Sequence, residues 1–230
     1  MGERIFEEWR VYEKLLVHDY MDHRSFFGRL QEHVIRHYPR PIRILDLGCG
    51  DLTPILPLLQ AVPLLAYTGI DESAGALAIA AQHLQTRNIP GRLINGDLLL
   101  ELEALQEKFD LVVASFSLHH LVRPADKLRC LQAIENHLND SGMFALIDVF
   151  CGEDEPRSDY LDRWVSHADQ RYASLQAEEK QMLFDHVRAR DYPASQEHWR
   201  AMAQQAGLAH FQLMLQDDAA LNSLVGMMRH

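Results

Sequence analysis

Cysteine is scarce. Three residues, Cys49, Cys130 and Cys151, stand far apart in a chain of 230 and form no CxxC pair. That excludes a disulfide framework and points to reduced thiols in a reducing compartment. Basic residues are in deficit: 22 Lys and Arg face 33 Asp and Glu, a formal charge of −11. Nonspecific binding to nucleic acid or an anionic membrane needs clustered cations, so no nucleic-acid partner is expected. The opening MGERIFEEWR is charged at once and has no apolar core of the signal-peptide kind. The uncharged stretch from Leu52 to Ile70 is broken by Pro54, Pro57 and Pro63 and carries Gln60. A spanning helix wants roughly 20 mostly apolar residues, so this run reads as buried core and no membrane association is expected. There is no internal repeat, no low-complexity tract and no HExxH. Together these absences lead to the expectation of a cytoplasmic protein without a metal site, its oligomeric state open.

What is present is ordinary for a globular chain: 47 % hydrophobic and 24 % charged residues. One domain of this length buries enough surface to need no disulfide or structural metal. Residues 1–38 read as two helices, with Ile5, Trp9, Tyr12 and Leu16 on one face of the first and Phe26, Phe27, Leu30, Val34 and Tyr38 on the second. Pro39 and Pro41 end the pair. Apolar runs at Ile42–Leu47, Leu65–Ile70, Arg92–Ile94, Asp110–Ser115 and Met143–Val149 read as strands. Helical patterns at Pro54–Ala61, Ser73–Arg87, Leu98–Lys108 and Asp126–Leu138 alternate with them. In the second helix Ser73 is the N-cap and Leu77, Ala80, Ala81 and Leu84 form the apolar face. The run Asn139-Asp140-Ser141-Gly142 reads as the turn after the last of these helices. Strands alternating with helices mean an α/β fold with a mostly parallel sheet. After Phe150 an acidic helical segment, 151–192, looks like an insertion. A helix over Ser195–Ala206, closed by Gly207, and a hairpin finish the chain.

The segment Ile44-Leu45-Asp46-Leu47-Gly48-Cys49-Gly50 joins a strand to a glycine turn, where positive φ and close approach of a ligand to the backbone are possible. Asp71 follows 25 residues after Asp46, at the end of the second strand, where a carboxylate can accept ribose hydroxyl protons. Asp97 follows 26 residues later, after the third strand, where an acid can accept from an exocyclic amine. This set resembles the class I S-adenosylmethionine-dependent methyltransferase family over residues 40–150. Its first motif matches at 44–50, its ribose-binding acid at Tyr67–Asp71, its adenine-contacting acid at Gly96-Asp97-Leu98, and its fourth motif at Phe109–Leu121.

The resemblance implies a Rossmann-like doubly wound seven-stranded sheet, mostly parallel with the last strand antiparallel. An N-terminal helical lid (1–38) precedes the cofactor-binding sheet (39–150), and the insertion (151–192) precedes the last helix and closing hairpin (193–230). It implies S-adenosyl-L-methionine as cofactor, S-adenosyl-L-homocysteine as product, and cofactor contacts from Asp46, Gly48, Cys49, Gly50, Asp71, Glu72, Asp97, Leu98 and Ser115. The family's third glycine is replaced by Leu52, for which a shifted helix start is expected. Thr53 stands where a dinucleotide fingerprint needs glycine. The segment after the fourth strand has no Asn/Asp-Pro-Pro-aromatic tetrad, which resembles the small-molecule branch, so a small-molecule methyl acceptor is expected. The alternatives are RNA or protein methylation on the same fold and a cofactor-binding regulatory module. Candidates for the acceptor's base are His119 and His120, of which only one points inward if the segment is extended, and Tyr20. His23, Arg24 and Trp164 are candidates for lid or acceptor contacts.

Overall fold

The computed structural model describes residues 2–229, with side chains from Arg10 onward, so Ile5 and Trp9 lie outside the described side chains. A central sheet forms from β1 (Ile42–Leu47), β2 (Leu64–Asp71), β3 (Gly91–Asn95), β4 (Phe109–Ser115), β5 (Leu138–Val149), β6 (His210–Gln216) and β7 (Asn222–Met228), in the order 3-2-1-4-5-7-6. β1 pairs in parallel with β2 and β4, β2 with β3, and β4 with β5. β7 runs antiparallel to both β5 and β6. The strand pattern predicts a mostly parallel α/β sheet, and the doubly wound seven-stranded form is the one that the resemblance implies. The sheet reverses direction of winding between β1 and β4, where α/β sheets bind ligands at their carboxyl ends.

Alternation along the strands builds two cores. Ile42, Ile44, Leu111, Val113, Met143 and Ala145 face α2 (His23–His37), α3 (Leu56–Ala61) and α4 (Ala74–Thr86). Leu45, Leu47, Val112, Ala114, Phe144 and Leu146 face α5 (Leu98–Ala104), α6 (Pro124–His137) and α9 (Gln196–Gln205). The second N-terminal helix is thus a layer of the main core. Its Phe26, Leu30 and Val34 are fully buried, which stabilises the fold by about 1.5–3 kcal/mol per side chain. A third core joins α1 (Gly2–Val17) to the insertion helices α7 (Arg157–Arg171) and α8 (Ala177–Arg190), through Val11, Leu15, Tyr160, Trp164, Tyr172 and Phe184.

Several boundaries differ from the sequence expectation. The buried positions of α1 are Val11 and Leu15, one residue off the predicted Tyr12 and Leu16, because the helix packs on the insertion and turns Tyr12 toward the glycine loop. On α4 the inner face takes Ala76 and leaves Ala81 exposed. Ser73 caps that helix as expected, its Oγ accepting from the Ala76 N–H. The predicted turn 139–142 is a bulge inside β5. Leu138 already pairs with Phe109, and the register then jumps to Leu111–Met143. Asn139 donates to the Asp110 carboxylate and Tyr38 donates to the Ser141 carbonyl, which pins the bulge to the sheet. Among the described residues, no helix is long and apolar enough to cross a membrane.

Candidate cofactor and acceptor site

The carboxyl ends of β1, β2 and β4 meet at the glycine turn. Gly48 has φ +73°, and a Cβ there would lie 2.5 Å from the Ser117 Cβ, so only glycine fits. Ser117 donates its hydroxyl to the Leu47 carbonyl at 2.7 Å, tying the segment after β4 to the turn. Gly50 has φ +53°, and a Cβ there would lie 3.8 Å from the Tyr12 hydroxyl of α1. In the sequence Tyr12 stands out only as a helix-face residue. Burial, and the nearby carboxylates of Asp51, Asp71 and Asp46, raise its pKa above the ordinary phenol value.

Asp71 spans two backbone donors: Oδ2 accepts from Gly50 N–H and Oδ1 from Ser73 N–H, both at 2.8 Å. Each oxygen keeps a lone pair for a diol hydroxyl. Glu72 contributes its carbonyl to Asn95, which also donates to the Asp71 carbonyl and fixes the loop between them. Asp97 is the N-cap of α5, with Oδ1 accepting from Leu99 and Leu100 N–H and the side chain exposed. Leu98 opens the helix beside it.

Asp46 is buried, and its Oδ2 accepts from the Tyr67 hydroxyl at 2.9 Å. Burial pushes its pKa up to about 7, against the lowering effect of the Tyr67 bond. Cys49 is a buried filler whose Sγ lies against Gly69, where a Cβ would come within 2.7 Å. Burial raises the pKa of its thiol, so it is no nucleophile at neutral pH. Leu52 occupies the place of the family's third glycine and keeps a glycine-like backbone at φ +71°, with its side chain fully buried. The glycine's role at this position is therefore to supply the left-handed turn. The helix does start late, at Leu56.

Two buried polar atoms at the end of β4 have no hydrogen-bond partner: Ser115 Oγ and His23 Nδ1. His23 stands at the first position of α2 and meets Phe116 edge-on, with ring centroids 5.0 Å apart. Phe116 itself is left-handed at φ +50°. Burial holds the His23 imidazole neutral, with a pKa of about 4.

The other candidates have partners of their own. Leu118–His120 forms a 3-10 turn, so the segment is not extended and the in/out alternation expected of His119 and His120 does not apply. His119 is buried: Nδ1 is 2.5 Å from Asp148 Oδ1, and Nε2 faces Asp191. Burial opposes its charge, but those two carboxylates raise its pKa above the usual imidazole value. His120 points outward to the Arg190 carbonyl. The Tyr20 hydroxyl is committed to Ser174, and its ring stacks on Tyr172 at 4.4 Å. Trp164 packs edge-on against Tyr172 within the insertion core. Arg24 is exposed and closes the α1–α2 turn through the Val17 carbonyl.

Fold and site define an α/β protein with a glycine turn and two strand-end acids at the carboxyl ends of adjacent parallel strands. Residues 45–144 match the family model of a methyltransferase domain. A carboxy-S-adenosyl-L-methionine synthase of Campylobacter concisus is 28 % identical over 117 residues, covering 51 % of this chain and 48 % of the relative. A probable methyltransferase, ltbC, of Aspergillus luteorubrus is 31 % identical over 131 residues, 54 % of this chain and 46 % of the relative. The chain thus spans about half the length of these two curated relatives. The solved human N-acetylserotonin methyltransferase in complex with S-adenosylmethionine superposes with a TM-score of 0.61 at 16 % identity, over 90 % of this chain and 51 % of that one. Residues 45–144 are thus similar to a methyltransferase domain, the fold is that of the solved methyltransferase, and the group bound in that neighbour is S-adenosylmethionine. The residues present fit that group: a left-handed glycine cradle, a diol-ready carboxylate at Asp71, and two orphaned polar atoms at the end of β4.

Proposed function

We propose that this protein transfers a methyl group from S-adenosylmethionine to a small-molecule acceptor. The observation that carries this reading is two buried, unpartnered atoms: Ser115 Oγ, next to Phe116 in the chain, and His23 Nδ1, on the ring that meets Phe116 edge-on. A buried polar group without a partner costs about 1–3 kcal/mol, a cost that a bound ligand removes. When bound, the cofactor supplies an electrophilic methyl on a sulfonium. The chain's residues align it and handle the acceptor's proton.

In this reading Gly48, Cys49 and Gly50 back the methionine moiety and Asp46 faces its amino group. Asp71 and Glu72 hold the ribose edge, Asp97 and Leu98 the adenine, and Ser115 the methyl end. His23 faces the acceptor, because its imidazole is neutral, buried and unpaired, whereas His119 and Tyr20 are already bonded. Arg24 and Trp164 act behind it, closing the α1–α2 turn and filling the insertion. A small acceptor is supported by the lid-like approach of Tyr12 over Gly50, by the −11 charge and by the small-molecule methyltransferase among the structural relatives. The three free cysteines support a cytoplasmic setting.

The test is S-adenosylhomocysteine release, read by mass spectrometry, across a panel of small hydroxyl, carboxyl and amine acceptors, with bulk tRNA and protein as comparison. The expected outcome is turnover on a small acceptor, reduced about 100-fold or more in His23→Ala. Turnover confined to tRNA or protein overturns the acceptor class. The carboxy-S-adenosylmethionine synthase relatives bring a second reading, modification of the cofactor itself, and a heavier cofactor in the same spectra would select it.

A further inference from the structure

We propose that His119, His120 and Asp191 form a binding site for a divalent transition cation of the zinc type, clasping the end of the insertion to the sheet. His119 Nε2 lies 3.5 Å and His120 Nδ1 3.8 Å from the same atom, Asp191 Oδ1. One donor atom from each of the three residues falls within a 4.8 Å cluster. Nitrogen and oxygen donors at about 2.0–2.2 Å from a tetrahedral zinc stand about 3.3–3.5 Å from one another. A direct hydrogen bond would draw them to about 2.7–3.2 Å. The observed spacing suits a shared cation better than a shared proton.

A second observation points the same way. Asp191 is 6 % exposed, and its Oδ1 has no hydrogen-bond partner although it faces both imidazoles. Behind His119, Asp148 holds Nδ1 at 2.5 Å and accepts the His119 backbone N–H through its other oxygen. In the neutral imidazole with its proton on Nδ1, Nε2 is the free lone pair, the orientation in which a carboxylate supports a metal-bound imidazole. His120 is half exposed and gives an entry path. Its Nδ1 contact with the Arg190 carbonyl, at 3.3 Å, is what a metal bond would replace. His186 stands edge-on to His120, with centroids 5.9 Å apart, and is the next imidazole toward solvent. Two imidazoles and one carboxylate select zinc, cobalt or nickel over calcium or magnesium, which prefer all-oxygen shells. The cation would reinforce the bond from Tyr192 N–H to the His119 carbonyl, which already ties the insertion's end to the 3-10 turn. The sequence shows no ligand spacing because Asp191 arrives from 71 residues beyond His120, brought in by α8.

The site stands independently of the methyl-transfer reading. Its test is a cobalt(II) titration of the tag-free, chelator-treated full chain, read by visible d–d absorption. His33 and His37 stack one turn apart on α2 and offer a competing imidazole pair, so the parent protein for the titration carries His33→Ala. The expected result is saturation near one equivalent with tetrahedral-type bands. Affinity should fall at least tenfold in His120→Ala and in Asp191→Asn, and about 10–100-fold in Asp148→Asn. Zinc should raise the melting temperature of the His33→Ala parent and leave that of the His120→Ala variant unchanged. His120 is exposed, so its variant keeps the test valid even if the buried substitutions unfold the chain. No saturable band in the parent, or equal affinity in His120→Ala, overturns the proposal.

Discussion

Leu52 holds at φ +71° a conformation that glycine adopts freely and leucine only at a cost of about 1–2 kcal/mol. Its side chain is fully buried among Ile44, Cys49 and Ile55, and truncating such a leucine costs about 2–5 kcal/mol. Burial wins over strain. Leu52→Gly is expected to destabilise the protein by about 2 kcal/mol in urea unfolding and to leave S-adenosylhomocysteine affinity within about threefold. A stabilised variant would show that strain dominates.

Two titrating groups at the site respond to pH in opposite senses. His23 titrates at about 4 when folded, below the 6.5 of an ordinary imidazole. The folded state therefore binds fewer protons between these values. Stability from this group is fully present above pH 6.5 and is lost as pH falls toward 4. A tenfold change in proton affinity corresponds to about 1.4 kcal/mol. His23→Phe should lose less stability than the wild type between pH 7 and pH 4.5; parallel losses in urea midpoints would contradict this. Asp46 titrates at about 7, above the 3.8 of an ordinary aspartate, so the folded state binds more protons between these values, and stability from this group, full below pH 3.8, is lost as pH rises to 7. In the proposed binding mode the cofactor's ammonium stands beside it, and the carboxylate is favoured on binding. Cofactor affinity should accordingly rise between pH 6 and 8 in the wild type and stay flat in Asp46→Asn.

Among the elements, the joint between α1 and the insertion decides how firmly Tyr12 covers the glycine turn. Beside the core of Val11 and Leu15, two contacts of different kinds hold it. Tyr20 both donates to and accepts from Ser174 and stacks on Tyr172 with an interplanar angle of 9°. Lys14 reaches Glu179 at 2.6 Å, but both side chains remain partly in water. A wet ion pair is worth about 0–1 kcal/mol, a buried aromatic stack with two hydrogen bonds more. Tyr20→Ala should speed hydrogen exchange of the described α1 amides at least tenfold, and Lys14→Met should leave it within about twofold. The reverse order would place the joint at the ion pair.

The elements are legible in the sequence where one signal dominates. Ile42–Leu47, ended by Gly48, and Ser73, opening a helix, read directly from apolar runs and turn chemistry. The 139–142 bulge does not, because turn residues there are recruited by Asp110 and Tyr38, one 29 and the other 103 residues from its partner. The 3-10 turn at 118–120 is equally hidden. It depends on the buried Lys127 ammonium, which donates to the Leu118 carbonyl from α6.

At the scale of the whole molecule, the acids Asp46, Asp71 and Asp97, which the proposed function puts on the cofactor side, are legible because each sits at a strand end whose position the alternating pattern fixes. The acceptor side stays hidden. His23 sits 92 residues before Ser115 in the chain and reaches Phe116 only when α2 packs on the sheet. Tyr12, His119 with Asp148, and Asp191 likewise gain meaning only from helices crossing the carboxyl end of the sheet. The chain brings α1 and the insertion together through one core while α2 packs in another, so the proposed acceptor contacts depend on packing that no local motif encodes.

The central claim is that the carboxyl ends of β1 and β2 hold S-adenosylmethionine, with Asp71 on its ribose. Isothermal titration of S-adenosylhomocysteine into the wild type and Asp71→Ala tests it most directly. The account predicts a single site in the wild type, weakened at least tenfold by the substitution while thermal unfolding without ligand shows the variant still folded. No binding at millimolar ligand, or equal affinity in both proteins, would contradict it.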